Sequence, residues 1–206
     1  MENYKTKQEN FWAGKFGDDY IARNMSPELL ASNTAFFSKI LSHVSQVNTI
    51  LELGANIGLN LRVLKALLPN AESSAVEINK KAIEILTDNI NKGKIYHQSI
   101  LDFELDYQRD FVFTKGVLIH LNPEELDKVY QTLFDSSRKY ICIAEYYNPS
   151  PVSIPYRGHD GYLFKRDFAG ELMSKYPSLQ LVNYGFAYHK DNNFKQDDIT
   201  WFLMSK

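Results

Sequence analysis

The sequence predicts an α/β fold: a seven-stranded, mostly parallel sheet with helices on both faces and an antiparallel hairpin at its end. Three observations predict it. Apolar runs of strand length alternate with runs of helical period, an order that right-handed βαβ crossovers convert into a parallel sheet. The last two strand-like runs, residues 179–186 and 199–204, have no helical run between them and should pair antiparallel. The chain has 206 residues, 44% hydrophobic and 23% charged, which suits one domain with a full core.

The elements follow in order. Residues 1–45 form an N-terminal helical cap, in which Ser26-Pro27-Glu28 marks a helix start: an N-cap serine, a first-turn proline, then an acid at the positive end of the dipole. Phe36, Phe37, Ile40, Leu41 and Val44 recur at helical spacing. Thr49-Ile50-Leu51-Glu52-Leu53 reads as a buried strand broken at Gly54, and a helix from about Gly58 presents Leu61, Leu64 and Leu68 before Pro69 stops it. A second strand spans residues 73–77. Asn79 caps a helix with Ile83, Leu86 and Ile90 inward, closed by Asn91-Lys92-Gly93. Strands at 94–97 and 111–114 precede a helix opened by Asn122-Pro123-Glu124-Glu125, with Leu126, Val129 and Leu133 on its core face. A strand at 140–145 leads into residues 146–164, rich in Tyr and Pro, which read as an inserted acceptor-side loop. Asp167 then caps a helix carrying Phe168, Leu172 and Tyr176, ended by Pro177.

Bulk properties exclude several classes. A net charge of −2 argues against a nucleic-acid partner. The single cysteine, Cys142, permits no intrachain disulfide, and no metal site is expected. The start, Met1-Glu2-Asn3-Tyr4-Lys5, lacks the apolar stretch of a signal peptide, and no apolar run approaches the roughly 18 residues of a membrane span. The expectation is a cytoplasmic protein with no membrane partner.

The first candidate site is a nucleoside pocket. Glu52-Leu53-Gly54-Ala55-Asn56-Ile57-Gly58 follows the first strand; Gly54 permits a tight turn and close ligand approach, and Gly58 lets the helix pack near the strand. A dinucleotide fold wants a glycine where Asn56 stands, to clear a pyrophosphate. That favours S-adenosylmethionine, which has none, over NAD and its dehydrogenases. Glu77 ends the second strand, where an acid accepts hydrogen bonds from ribose hydroxyls; Ile78 follows it. Ser99 and Ile100 lie where the third strand's loop covers an adenine, and Lys115-Gly116 end the fourth strand facing the methionyl group. Near the N-terminus Phe11, Trp12, Phe16 and Tyr20 suit a lid, with Tyr20 or Arg23 reaching the methionyl carboxylate. The bland alternatives are a solvated helix-start acid for Glu77, a surface lysine for Lys115 and outer-core packing for the aromatics.

The run Thr49 to Gly58, then Val76-Glu77-Ile78, then Phe113-Thr114-Lys115-Gly116-Val117-Leu118-Ile119-His120 resembles the motif series of Rossmann-like class I S-adenosylmethionine-dependent methyltransferases. Two further stretches narrow the resemblance. They are Phe11-Trp12-Ala13-Gly14-Lys15-Phe16-Gly17-Asp18-Asp19-Tyr20, and Glu145-Tyr146-Tyr147-Asn148-Pro149 through Tyr156-Arg157-Gly158-His159 to Leu163-Phe164-Lys165-Arg166-Asp167-Phe168. With these the chain is similar, over nearly its full length, to the small methylases encoded with pseudaminic acid biosynthesis genes. The resemblance implies S-adenosylmethionine as cofactor and an acceptor from amino-sugar or nonulosonate metabolism. It carries over no catalytic residue.

Methyl transfer from a sulfonium needs alignment and a deprotonated acceptor, so a general base is sought near the attacking atom. The candidates, in order, are Glu145, His159 and His120. The alternatives are an acid bonded to loop amides for Glu145 and a structural histidine for His120. Arg157, Lys165 and Arg166 with Tyr146, Tyr147 and Tyr156 make the insert a candidate binder of an anionic sugar or nucleotide sugar, against a plain solvated loop. The competing function is a cofactor-binding, non-catalytic partner in a biosynthetic complex.

Overall fold

The computed structural model describes residues 4–90 and 92–206; positions 1–3 of the polar N-terminal stretch, and Asn91 of the helix-ending triplet, lie outside them. Seven strands form the main sheet: β1 (Thr49–Leu53), β2 (Glu72–Glu77), β3 (Lys92–His97), β4 (Arg109–Lys115), β5 (Ser137–Glu145), and, after a separate hairpin, β8 (Gln180–Ala187) and β9 (Ile199–Ser205). Their order is β3-β2-β1-β4-β5-β9-β8. The pairs from β3 to β5 are parallel, and β9 runs antiparallel to both β5 and β8. Chain progress along the sheet therefore reverses between β1 and β4, which opens a crevice at their carboxyl ends.

Alternation along the strands builds two core layers. Ile50, Phe111, Phe113 and Cys142 face α3 (Pro27–Leu41) and α4 (Leu59–Leu67), meeting Phe37, Ile40, Leu61 and Leu64. Leu51, Val112, Ile141 and Ile143 face the other way, onto Val129 and Leu133 of α6 (Leu126–Ser136) and Phe168 and Leu172 of α7 (Phe168–Lys175). Both faces of the sheet are thus covered, as period-two apolar strands require. The expected caps form: Ser26 Oγ accepts from Leu29 N at 3.1 Å, Asp167 Oδ1 from Gly170 N at 2.8 Å, and Asn79 Oδ1 from Ala82 N at 2.9 Å at the head of α5 (Lys80–Leu86).

Two regions are more ordered than the sequence suggests. The aromatic N-terminal stretch holds two short helices, α1 (Lys7–Ala13) and α2 (Lys15–Tyr20), the first closed by a reciprocal Thr6–Glu9 capping box. Within residues 146–164, read as a loop, the chain forms an antiparallel hairpin of β6 (Val152–Tyr156) and β7 (His159–Lys165). Its turn places Arg157 at φ 52° and Gly158 at φ 83°, the left-handed pair that a two-residue hairpin turn demands. Pro155 hides the strand from sequence, because proline demotes a run that is tolerated only at an edge. No helix among the described residues is long and apolar enough to cross a membrane.

Candidate functional site

A cavity of about 670 Å³ opens at the carboxyl ends of β1, β2 and β4, where the strand order reverses. Its floor begins at the β1–α4 turn. Gly54 sits at φ 79°, and a Cβ there would lie 2.7 Å from Val117 Cγ2, so the turn excludes side chains. Asn56 adopts the left-handed φ of 48° that a glycine would take at this place. Its own carboxamide stabilises that conformation by accepting from Ile57 N at 2.7 Å. Gly58 does not line the cavity; at φ 75° it abuts α5, and a Cβ would lie 2.4 Å from Leu86 Cδ1.

Glu77 locks this turn to β2. Its Oε2 accepts from Asn56 N at 2.6 Å and its Oε1 from Asn79 N at 2.7 Å. Burial pushes its carboxyl above the usual range, opposed by these amide bonds. The carboxylate retains lone-pair capacity for a ligand hydroxyl. Ile78, Ser99 and Ile100 complete this end of the wall, and Ser99 Oγ is engaged by Leu101 N at 3.0 Å. The structure brings Gly54, Asn56, Glu77, Ile78, Ser99, Ile100, Lys115 and Gly116 together around one cavity.

Glu52 is placed differently. It is fully buried on the α3–α4 side of β1 and does not line the cavity. Asn60 stands between, donating to Glu52 Oε1 at 2.6 Å; Asn33 donates to Asn60 at 2.9 Å, and Gln196 to Asn33 at 2.8 Å. Desolvation pushes Glu52 up to about 8. This chain of side-chain amides ties the β1 turn to the loop between β8 and β9, and sequence reading missed it. Asn33, Asn60 and Gln196 line the cavity, although amides inside helices and loops carry no spacing signal.

The three proposed bases separate sharply. Glu145 at the end of β5 is buried outside the cavity lining, where its carboxylate accepts from Val117 N at 2.9 Å, Leu118 N at 3.0 Å and Ile119 N at 3.4 Å. It braces the loop after β4, and burial lifts it to about 7. His159 lies outside the cavity on the exposed hairpin, its ring 5.1 Å from that of Phe11. His120 does line the cavity. Its Nδ1 lies 2.6 Å from the Tyr162 carbonyl, which only accepts, so Nδ1 carries the proton and Nε2 keeps its lone pair. Desolvation lowers His120 to about 4, so the ring is neutral at pH 7.

The N-terminal helices and the hairpin cover the opening together. Phe11 stacks on Phe16 at 4.0 Å and meets Tyr162 at 4.3 Å; Trp12 lies 4.7 Å from the His120 ring. Asn79 Nδ2 donates to Trp12 O at 3.2 Å and Asp18 Oδ1 at 2.9 Å, fastening the cover beside Glu77. Trp12, Tyr20 and Arg23 line the cavity, and both Trp12 Nε1 and Glu9 Oε1 are buried without a protein partner. Burial pushes the Tyr20 phenol up to about 12, so it serves as a neutral donor. From the insert, Tyr146, Tyr156 and Arg157 reach the cavity. Tyr147, Lys165 and Arg166 do not: Tyr147 is exposed near Phe202, Lys165 lies over the Tyr146 ring, and Arg166 pairs with Glu171 at 2.7 Å.

No protein-family model matches the sequence. One curated relative, an uncharacterized protein of Rickettsia prowazekii (strain Madrid E), is 31% identical over 90 residues, covering 41% of this chain and 36% of that one. Solved structures match far more of the chain. The plantazolicin methyltransferase BpumL, in complex with SAH, superposes with a TM-score of 0.65 at 15% identity over 97% of this chain and 93% of its own. The fold is that of the S-adenosylmethionine-dependent methyltransferases. The 1,6-didemethyltoxoflavin-N1-methyltransferase of Burkholderia thailandensis gives 0.70 at 11% identity, over 96% and 86% of the two chains. Magnesium protoporphyrin IX methyltransferase of Synechocystis PCC 6803, with bound SAM, gives 0.64 at 12% identity over 99% of each.

Proposed function

We propose that this chain transfers a methyl group from S-adenosylmethionine to a small anionic acceptor of the amino-sugar or nonulosonate class. The observation that carries the reading is Glu77, fixed by the Asn56 and Asn79 amides at the end of β2, beside a turn that excludes side chains at Gly54. A nucleoside fits there: Glu77 accepts from the ribose hydroxyls, Ser99 and Ile100 flank the base, and Asn33, Asn60 and Lys115 meet the methionyl end. When bound, the donor supplies a methyl activated by a positively charged sulfur. The chain's own work is alignment and exclusion of water beneath the α1–α2 cover.

Arg23, Arg157 and Lys195 bring positive charge to the cavity, in a chain that is slightly acidic overall. They support an anionic acceptor, and the sugar class follows from the family resemblance of the sequence. His120, neutral and with its tautomer set by Tyr162, offers Nε2 as a hydrogen-bond acceptor to the bound ligands. Mass spectrometry tests the reading: a nucleotide-sugar extract incubated with protein and donor should contain a species heavier by one methylene. Donor binding with no labelled acceptor would favour a non-catalytic partner instead.

A further inference from the structure

The loop between β8 and β9 reaches the cavity. Thr200 pairs with Glu145, so β9 begins beside the carboxyl end of β5, and the residues just before it rise over the crevice. His189 from this loop lines the cavity. Both carboxylate oxygens of Asp198 face its Nδ1, at 2.9 and 2.8 Å, and the backbone N–H of His189 donates to Asp198 Oδ1 at 3.0 Å. A carboxylate only accepts, so Nδ1 holds a proton, and in the neutral ring Nε2 is the bare acceptor.

The pair is built rather than incidental. Asp198 sits at φ 54°, a left-handed conformation that costs a non-glycine residue energy and persists only where the surroundings enforce it. Here Asp198 N donates to Gln196 O at 3.0 Å, and the buried Gln196 side chain donates to Asn33 Oδ1 at 2.8 Å. Through Asn33 and Asn60 the loop is fastened to the β1 turn, so the dyad is positioned by the same scaffold as the donor end. Tyr188 stands edge-on to the His189 ring at 4.6 Å. Among charged neighbours, Lys165 acts on Asp198, while Lys195 and Asp197 share the cavity wall with His189.

We propose that His189 is the proton acceptor of the reaction, with Asp198 as its positioning residue. The proposal rests on the methyl-transfer reading above. As the acceptor's oxygen or nitrogen bonds to the methyl carbon, the sulfur–carbon pair remains on sulfur, leaving a thioether. The acceptor's proton passes to His189 Nε2, and Asp198 balances the imidazolium. The side chain is 47% exposed, so the proton then leaves to water. The rival bases lack these features: Glu145 is sealed behind three amides, His159 lies outside the cavity, and His120 is a buried, weakly basic ring.

Two measurements on the full chain test it. Imidazole nitrogen NMR, assigned with His189→Gln, should show His189 with protonated Nδ1 and bare Nε2 in its neutral form; Asp198→Ala should populate the other tautomer. A predominantly Nε2-protonated His189 in the unaltered protein would overturn the proposal. The second measurement uses a methyl-labelled donor and the acceptor purified from the anionic metabolite fraction that the unaltered protein labels. His189→Gln should slow transfer at saturating acceptor by on the order of 10²–10⁴-fold. It should also leave the calorimetric affinity for S-adenosylhomocysteine unchanged. A rate indifferent to His189→Gln removes the role of His189 alone. If the unaltered protein labels no acceptor, the methyl-transfer reading falls and this role with it.

Discussion

Replacing Glu52 by glutamine should stabilise the ligand-free protein at alkaline pH and do little at acid pH. Glu52 has one partnered oxygen, Oε1, which accepts from Asn60 at 2.6 Å, while Oε2 is buried without a partner. Desolvation raises its folded-state pKa from 4.5 to about 8. The sign follows from proton counting. Below about pH 4.5 both folded and unfolded chains are protonated and Glu52 contributes no slope. Between 4.5 and about 8 the unfolded chain releases a proton that the folded chain retains, so stability falls as pH rises. One proton is worth about 1.36 kcal/mol per pH unit, giving an upper limit of roughly 5 kcal/mol across the window. Glutamine mimics the protonated acid, keeps the Asn60 bond and has no such slope. Urea unfolding at pH 5 to 9 should therefore show the two proteins close at pH 5 and Glu52→Gln ahead by a few kcal/mol at pH 9. A constant difference across that range would show Glu52 ionised throughout and refute the desolvation argument.

Three further outcomes are expected. Glu77→Ala should weaken donor binding by roughly 1.5–3 kcal/mol, the scale for bonds to a charged acceptor; unchanged affinity by calorimetry in a folded protein would remove the ribose assignment. Gly17→Ala places a Cβ 1.8 Å from the Trp12 carbonyl oxygen and 2.8 Å from Asn79 Nδ2, so it should displace the α1–α2 cover. Donor affinity should drop while the main melting transition moves little, and a large loss of melting temperature would mean the cover is part of the core. Arg157→Lys and Arg157→Ala should both raise the acceptor's KM and spare the donor's Kd and the turnover at saturation, because an ammonium cannot replace the planar fork. Equal effects on a neutral acceptor analogue would refute an anion clamp.

The fold was legible because its determinants are local. Strand and helix periods alternate from Thr49 to Glu145, and the caps at Ser26, Asn79 and Asp167 form the hydrogen bonds their sequences announce. The α1 helix carried a signal too: Thr6-Lys7-Gln8-Glu9 is a capping box, yet seven residues give too short a period to stand out among aromatics. The β6–β7 hairpin was masked by Pro155, and its Arg157-Gly158 turn is recognisable only once both left-handed residues are seen.

The site was legible in proportion to how far each residue acts through the backbone. Gly54, Asn56 and Glu77 are tied to one strand-end geometry, so residue type and spacing together point to their being neighbours. Glu52 and Glu145 share the residue type and strand-end position of a ligand contact, but each points into protein, where Asn60 or three loop amides use its oxygens. No one-dimensional pattern separates these outcomes; Glu52 and Glu77 share a face of the sheet, and the difference is which protein groups pack over each carboxylate. The His189–Asp198 pair shows the converse. Its members are nine residues apart in a loop without regular structure, and Gln196 of that loop bonds Asn33, 163 residues away in sequence. Such a dyad leaves no local trace. It is set by the closure of β8 on β9 and by the amide chain that links the β1 turn to the loop, so this wall of the cavity is specified by the finished fold.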